Sequence, residues 1–207
     1  MTTTPAGAAD LRTQVAIIGA GPAGMLLSHL LAAGGVESVV VESRSAEYVA
    51  SRIRAGILEQ STVDLMRSAG LGDRLGREGH EHRGIYLQWP QERHHLDFVD
   101  LTGRSVFVYG QTEVQKDLVA ARTAAGQEVH YEITDTALHD LGTDRPSVTF
   151  TDSSGAARRV TADVVVGCDG SFGPSRSSVP APVRQTWEKT YPYSWLGILA
   201  DVAPSTD

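Results

Sequence analysis

Residues 13–42 read TQVAIIGAGPAGMLLSHLLAAGGVESVVVE, and this stretch decides the fold. Residues 13–18 are apolar and β-rich and end at Gly19, the pattern of a buried parallel strand meeting a turn. Residues 23–33 are helix formers with a nearly continuous apolar surface, and Gly34 and Gly35 stop them. Residues 36–41 give a second short strand that ends in Glu42. Strand, glycine turn, helix and strand in this order make a βαβ unit of a doubly wound α/β sheet.

The turn GAGPAG supplies the chemistry of the unit. Gly19 permits a tight turn, Gly21 lets backbone amides approach a pyrophosphate, and Gly24 allows the helix to pack closely on the strand. The helix N-terminus offers unsatisfied N–H groups and the positive end of its dipole. Glu42 follows Gly21 by 21 residues, where a carboxylate can accept hydrogen bonds from an adenosine ribose. These features predict a bound dinucleotide, and by themselves leave open whether it is FAD or NAD(P).

Further along, a helix is expected over residues 58–68, ended by Gly70. Residues 84–108 change character: IYLQW, LDFVD and SVFVYG alternate polar and apolar positions around Pro90 and Gly103, which predicts antiparallel strands. A helix is expected over 112–125, with Val114, Leu118 and Val119 facing inward, and strands over 129–133, 147–150, 158–161 and 162–167. The last of these runs directly into CDGS and puts Asp169 at the carboxyl edge of the sheet, where ligands bind in open α/β folds. YPYSWLGILAD near the C-terminus is read as one more β-rich run. The resulting layout is a flexible tail over 1–12, a nucleotide-binding domain over 13–83 and 109–182, an antiparallel insertion over 84–108, and the start of a further domain over 183–207.

Composition narrows the function classes. A formal charge of −7 and 21% charged residues argue against nucleic acid or an anionic membrane as the main partner. The single cysteine, Cys168, leaves no disulfide and no cysteine-based zinc site within the chain and fits a reducing, cytoplasmic setting. His80, His82, His94 and His95 lack metal-ligand spacing, so no metal is expected. No nucleophile elbow, P-loop or CxxC pair is present, and no catalytic side chain is identified. Hard chemistry would therefore come from a cofactor. Arg52 and Arg54 in SRIRAG are suited to phosphate oxygens or an anionic substrate, or else are solvent-facing arginines at a helix start. A flavin oxygenase, a flavin- or nicotinamide-linked dehydrogenase and a noncatalytic nucleotide-binding module all satisfy these features.

GAGPAG, Glu42, SRIRAGILEQ, YGQTEV, GCDG and YPYSWLGILAD together resemble the para-hydroxybenzoate hydroxylase family, over its N-terminal portion, from about Thr13 onward. The resemblance implies an FAD-binding domain with part of a substrate-domain sheet. It also implies an enzyme that uses NADH or NADPH and molecular oxygen to convert 4-hydroxybenzoate into 3,4-dihydroxybenzoate. Glu42 would bind the adenosine ribose, Arg52 and Arg54 would line the crevice between FAD and the pyridine nucleotide, Gln111 would contact the flavin side, and Asp169 would hold FAD. Trp195 would sit near the mobile flavin, and a homodimer is compatible with the family.

Two positions depart from the family pattern. Phe172 occupies a histidine's place in GCDGSFG, and Ser43 follows Glu42 where NADPH users often carry arginine, which points toward NADH. The family's groups for the substrate carboxylate and phenol would lie beyond Asp207. The chain is therefore expected to be an N-terminal fragment that hydroxylates poorly alone.

Overall fold

The computed structural model describes residues 9–53, 55–194 and 196. Arg54 and Trp195, both singled out above, lie outside the described residues.

Following the chain, β1 (Ala9–Arg12) precedes β2 (Val15–Ile18), α1 (Pro22–Ala33), β3 (Ser38–Val41) and α2 (Ala46–Ser51). Next come β4 (Ile57–Glu59), α3 (Gln60–Ser68), α4 (Gly72–Glu78) and β5 (His80–His82). The hairpin β6 (Gly84–Trp89) and β7 (Glu92–Asp97) leads into α5 (Phe98–Thr102), β8 (Val106–Val108) and α6 (Gln111–Ala124). The chain continues through β9 (Val129–His130), β10 (Thr134–His139), β11 (Ser147–Thr151), β12 (Ala157–Thr161), β13 (Val164–Gly167) and α7 (Pro174–Ser178).

The central layer is a parallel sheet in the order β13-β2-β3-β9. All four residues of β2 are buried, because both faces of this sheet are covered. Val15 and Ile17 point toward a core that includes Met25 of α1, Val63 and Met66 of α3, Leu75 of α4, and Val114 and Leu118 of α6. Ala16 and Ile18 point the other way, into a second core with Val41, Ile133, Val148, Phe150 and Val160. That second core is closed by a sheet in the order β1-β12-β11-β10, antiparallel except for the parallel pair β1 and β12. The molecule is thus α/β, with helices on one face of the parallel sheet and mainly strands on the other.

Several elements depart from the sequence reading. Ala9–Arg12, placed with the tail, is strand β1 in register with Arg158–Thr161. Leu58, expected to open a helix, lies in β4, and the helix begins at Gln60. The 84–108 segment holds the expected hairpin, but LDFVD turns into helix α5. Asp97 caps it by accepting from Asp100 N at 2.9 Å, and Gly103 ends it at φ +71°. β8 pairs antiparallel with β4 and β5, strands that precede the hairpin, so the antiparallel region draws on residues outside 84–108. Residues 191–194 form no strand and are exposed; the rest of the expected C-terminal run, apart from Leu196, lies outside the described residues. No helix of the described residues is long and apolar enough to cross a membrane.

Candidate dinucleotide site

The carboxyl ends of β2, β3 and β13 open onto a cleft of about 880 Å³. Its walls are the glycine turn and the start of α1, the Val41–Arg44 segment after β3, Tyr48 and Arg52 of the α2 region, Ile133–Thr136, and the Cys168–Pro174 loop. A crevice at the carboxyl ends of parallel strands is where an open α/β sheet takes its ligand.

The turn is shaped by three backbone carbonyls and one carboxylate. Gly19 has φ +105°, and a Cβ there would sit 2.4 Å from the Cys168 carbonyl oxygen. Its own amide donates to Val41 O at 2.8 Å, which ties the turn to β3. The next amide, Ala20 N–H, donates to Glu42 Oε2 at 2.8 Å. Because C=O and N–H point oppositely across a trans peptide, this bond turns the Gly19 carbonyl toward α1. There it meets Gly24, where a Cβ would lie 2.0 Å from the Gly19 oxygen. Gly19 and Gly24 are therefore demanded by the protein's own packing.

Among the described residues, nothing demands a glycine at position 21. Gly21 caps α1 at φ −68° and ψ 177°, which any L residue adopts, and a Cβ there would meet no atom within 4 Å. Yet it lines the cleft. This is the geometry expected where the glycine serves close approach of a bound group. Pro22 at the first helical position has no N–H to leave unpaired, and the first turn carries no acidic side chain to oppose an anion.

Glu42 lines the cleft beside the turn. Besides Ala20 N, its carboxylate accepts from Arg44 N at 2.8 Å and Ser43 Oγ at 3.3 Å. A carboxylate has about four acceptor sites, so one remains for a ribose hydroxyl. Asp169 lines the same cleft and accepts from Ser175 N at 2.9 Å, folding the loop into the start of α7. Gly173 follows from this fold, since a Cβ there would lie 2.1 Å from Asp169 Cγ. Burial and the neighbouring Asp169 charge push the Cys168 thiol up, which keeps it protonated.

Of the residues expected at the site, Gly19, Gly21, Glu42, Arg52 and Asp169 line one cleft, and Gly24 packs the helix behind it. Gln111 does not line it. It opens α6, and its amide donates to Ala55 O at 3.2 Å. Three further features escaped the sequence reading. Tyr48 stands between Arg44 and Arg52, whose guanidinium carbons lie 5.3 and 5.9 Å from its ring centroid. Ser45 accepts from Tyr48 N at 3.2 Å, an N-cap that SAEY could have signalled. Thr134–Thr136 reach the cleft through a bulge in β10, where Asp135 takes φ +53°. The residues present suit the adenosine and pyrophosphate half of FAD: a helix N-terminus, a close-approach glycine and two flanking carboxylates.

Comparison with known proteins agrees. The model of the FAD binding domain family matches residues 12–207. The p-hydroxybenzoate hydroxylase of Acinetobacter baylyi is 50% identical over 198 residues, 95% of this chain and 48% of that protein. A 3-(3-hydroxy-phenyl)propionate/3-hydroxycinnamic acid hydroxylase of Burkholderia vietnamiensis is 31% identical over 193 residues, 89% of this chain and 34% of that protein. The crystal structure of Pseudomonas aeruginosa PqsL in complex with 2-aminobenzoylacetate shares the fold, with a TM-score of 0.70 at 20% identity over 87% of this chain and 48% of that one. This chain spans at most about half the length of these proteins. With its glycine turn, Glu42 and Asp169 gathered at one sheet edge, the chain belongs to the FAD binding domain family.

Proposed function

We propose that this chain is the FAD-binding portion of a flavin-dependent hydroxylase of phenolic acids, with 4-hydroxybenzoate as substrate and NADH or NADPH and molecular oxygen as co-substrates. The observation that carries the reading is the cleft that joins the glycine turn, Glu42 and Asp169, in a sequence 50% identical to a p-hydroxybenzoate hydroxylase.

In this reading the helix α1 N-terminus and the turn amides hold the pyrophosphate, Glu42 accepts from the ribose, and Asp169 binds farther along the cofactor. When bound there, FAD would supply the redox chemistry that links the nicotinamide and oxygen to the phenolic ring. In the same reading Arg44 and Arg52, exposed residues that line the cleft, receive an anionic pyridine nucleotide. Ser43 offers no cation directly after Glu42, which favours NADH over NADPH.

The likeness to a hydroxyphenylpropionate hydroxylase supports a second reading, hydroxylation of a different phenolic acid by the same apparatus. NAD(P)H oxidation by the intact protein separates the two. The expected result is oxidation stimulated by 4-hydroxybenzoate with 3,4-dihydroxybenzoate formed. Stimulation by another phenolic acid alone would favour the second reading, and stimulated oxidation without any hydroxylated product would refute both.

A further inference from the structure

Helix α6 sends one fully buried polar side chain to the nucleotide-binding turn. Gln115 is 0% exposed, and its Nε2 donates to the carbonyl of Ala20, also 0% exposed, at 2.8 Å. The residues beside it on the inward face of α6, Val114 and Leu118, are apolar core members. A buried carboxamide carries a desolvation penalty that only hydrogen bonds offset. Gln115 Oε1 has no hydrogen-bond partner among the described residues, so no other network accounts for the amide. The bond to Ala20 is what distinguishes glutamine here from a methionine of similar size.

That bond has a geometric consequence. The Ala20 carbonyl shares its peptide unit with the Gly21 N–H, and no peptide bond among the described residues is cis. In a trans unit the two groups point to opposite sides. Held inward by Gln115, the carbonyl turns the Gly21 N–H outward, and Gly21 lines the cleft. Glu42 fixes the preceding unit in the same manner through Ala20 N. Two side chains from two distant elements thus set two successive peptide planes of a turn that lies between regular elements.

We propose that Gln115 is a positioning residue of the dinucleotide site, which aims the Gly21 N–H at the pyrophosphate by holding the Ala20 carbonyl. This rests on the dinucleotide reading of the cleft. Gln115 contacts neither adenosine nor flavin; its effect on affinity passes through one backbone amide. Ligands with the diphosphate feel it and ligands without do not.

The test uses apoprotein prepared from the intact flavoprotein, titrated with FAD, ADP and adenosine. In Gln115→Met, FAD and ADP are expected to bind about tenfold more weakly, the scale of one charge-assisted hydrogen bond, with adenosine unchanged. Equal weakening of ADP and adenosine would mean a general packing defect and overturn the proposal, as would unchanged ADP affinity. Gln115→Glu gives a second, independent readout. Protonated, the carboxyl can still donate to the Ala20 carbonyl; ionised, it cannot. Burial raises such a carboxyl's pKa, so ADP affinity in this variant is expected near wild type at the acid end and to fall as pH rises from 5.5 to 8.5. A pH profile parallel to wild type in Gln115→Glu would overturn the proposal. Failure of the wild-type apoprotein to bind either FAD or ADP would instead defeat the dinucleotide reading itself.

Discussion

The three glycines of GAGPAG answer to different constraints, and single substitutions separate them. At Gly24 an added methyl meets the Gly19 backbone oxygen at 2.0 Å, so the helix or the turn must shift. Gly24→Ala is expected to destabilise the apoprotein by about 1–3 kcal/mol, read as a lowered thermal midpoint. At Gly21 the backbone is ordinary and the space is open. In Gly21→Ala the poorer N-cap, costing about 1 kcal/mol, is offset by about 0.4–1 kcal/mol from the unfolded chain, so the apoprotein should stay within about 1 kcal/mol of wild type while FAD titration shows weaker binding. A midpoint that falls with Gly21→Ala as far as with Gly24→Ala, or FAD affinity that survives it, counts against the assignment. Glu42→Gln would disturb more than the ribose. Its carboxylate serves both Ala20 N and Arg44 N, and a carboxamide must turn its NH2 toward one of these donors or toward the ligand. The turn and Glu42 were legible in the sequence because the glycine spacing and the acidic strand end fall within one βαβ unit, although the Cys168 carbonyl that crowds Gly19 lies far along the chain. Gln115 was not, since its partner is 95 residues away and only an out-of-place polar residue between Val114 and Leu118 signals it.

At the scale of elements, the junction of α4 with α6 rests on charge. Arg74 pairs with Glu113, with Asp117 at 2.9 Å and with Glu78 at 3.0 Å, and Tyr109 donates to Asp117 at 2.7 Å. These partners raise the Arg74 pKa, while burial foremost, then the Asp117 bond, pushes the Tyr109 phenol up. Hydrogen bonds from Lys116 first and Arg74 second hold the Glu113 carboxyl below its ordinary value. A depressed carboxylate stabilises the fold above its unfolded pKa, about 4.3, and that contribution is lost as pH falls through the lower folded value. Arg74→Met is expected to lower stability near neutrality by about 1–2 kcal/mol and to flatten the acid limb of stability against pH below about 4.3. Denaturant melts from pH 3 to 7 on both proteins check it, and an unchanged acid limb would show that Glu113 is held by Lys116 alone. Periodicity revealed α6 to within a residue at each end. It missed α4 and α5, whose few turns give too short a pattern; the Asp97 cap and Gly103 stop were the readable clues to α5. It also missed the pairing of β4 with β8, because antiparallel partners such as Leu58 and Phe107, far apart in the chain, leave no local trace.

Over the whole molecule, the central strands β2 and β3 of the parallel sheet have core on both faces, and this is why they read clearly as apolar runs while the layers around them did not. The β6–β7 hairpin is the opposite case. Ile85, Tyr86, Leu87 and Trp89 are all 42–50% exposed along one strand of a two-stranded ribbon, so alternation predicted strands but could not say what they pack on. The same division marks the site. The contacts proposed for this chain, from the glycine turn and Glu42, would fall to the adenosine-diphosphate half of the cofactor with Asp169 farther along it, whereas Gln111, expected at the flavin, stands outside the cleft. A binding energy concentrated on that half makes a specific prediction. The 207-residue chain should bind ADP and FAD with affinities within about threefold of each other, since the flavin end would add under ~1 kcal/mol. A chain spanning the full length of its relatives should prefer FAD by about a hundredfold or more, near 2.7 kcal/mol, as further segments enclose the ring and exclude water. Competition of ADP against flavin fluorescence in the two forms measures both ratios on one scale. If the 207-residue chain already prefers FAD by two orders of magnitude, its own residues hold the flavin ring, and the binding energy is not concentrated on the adenosine-diphosphate half.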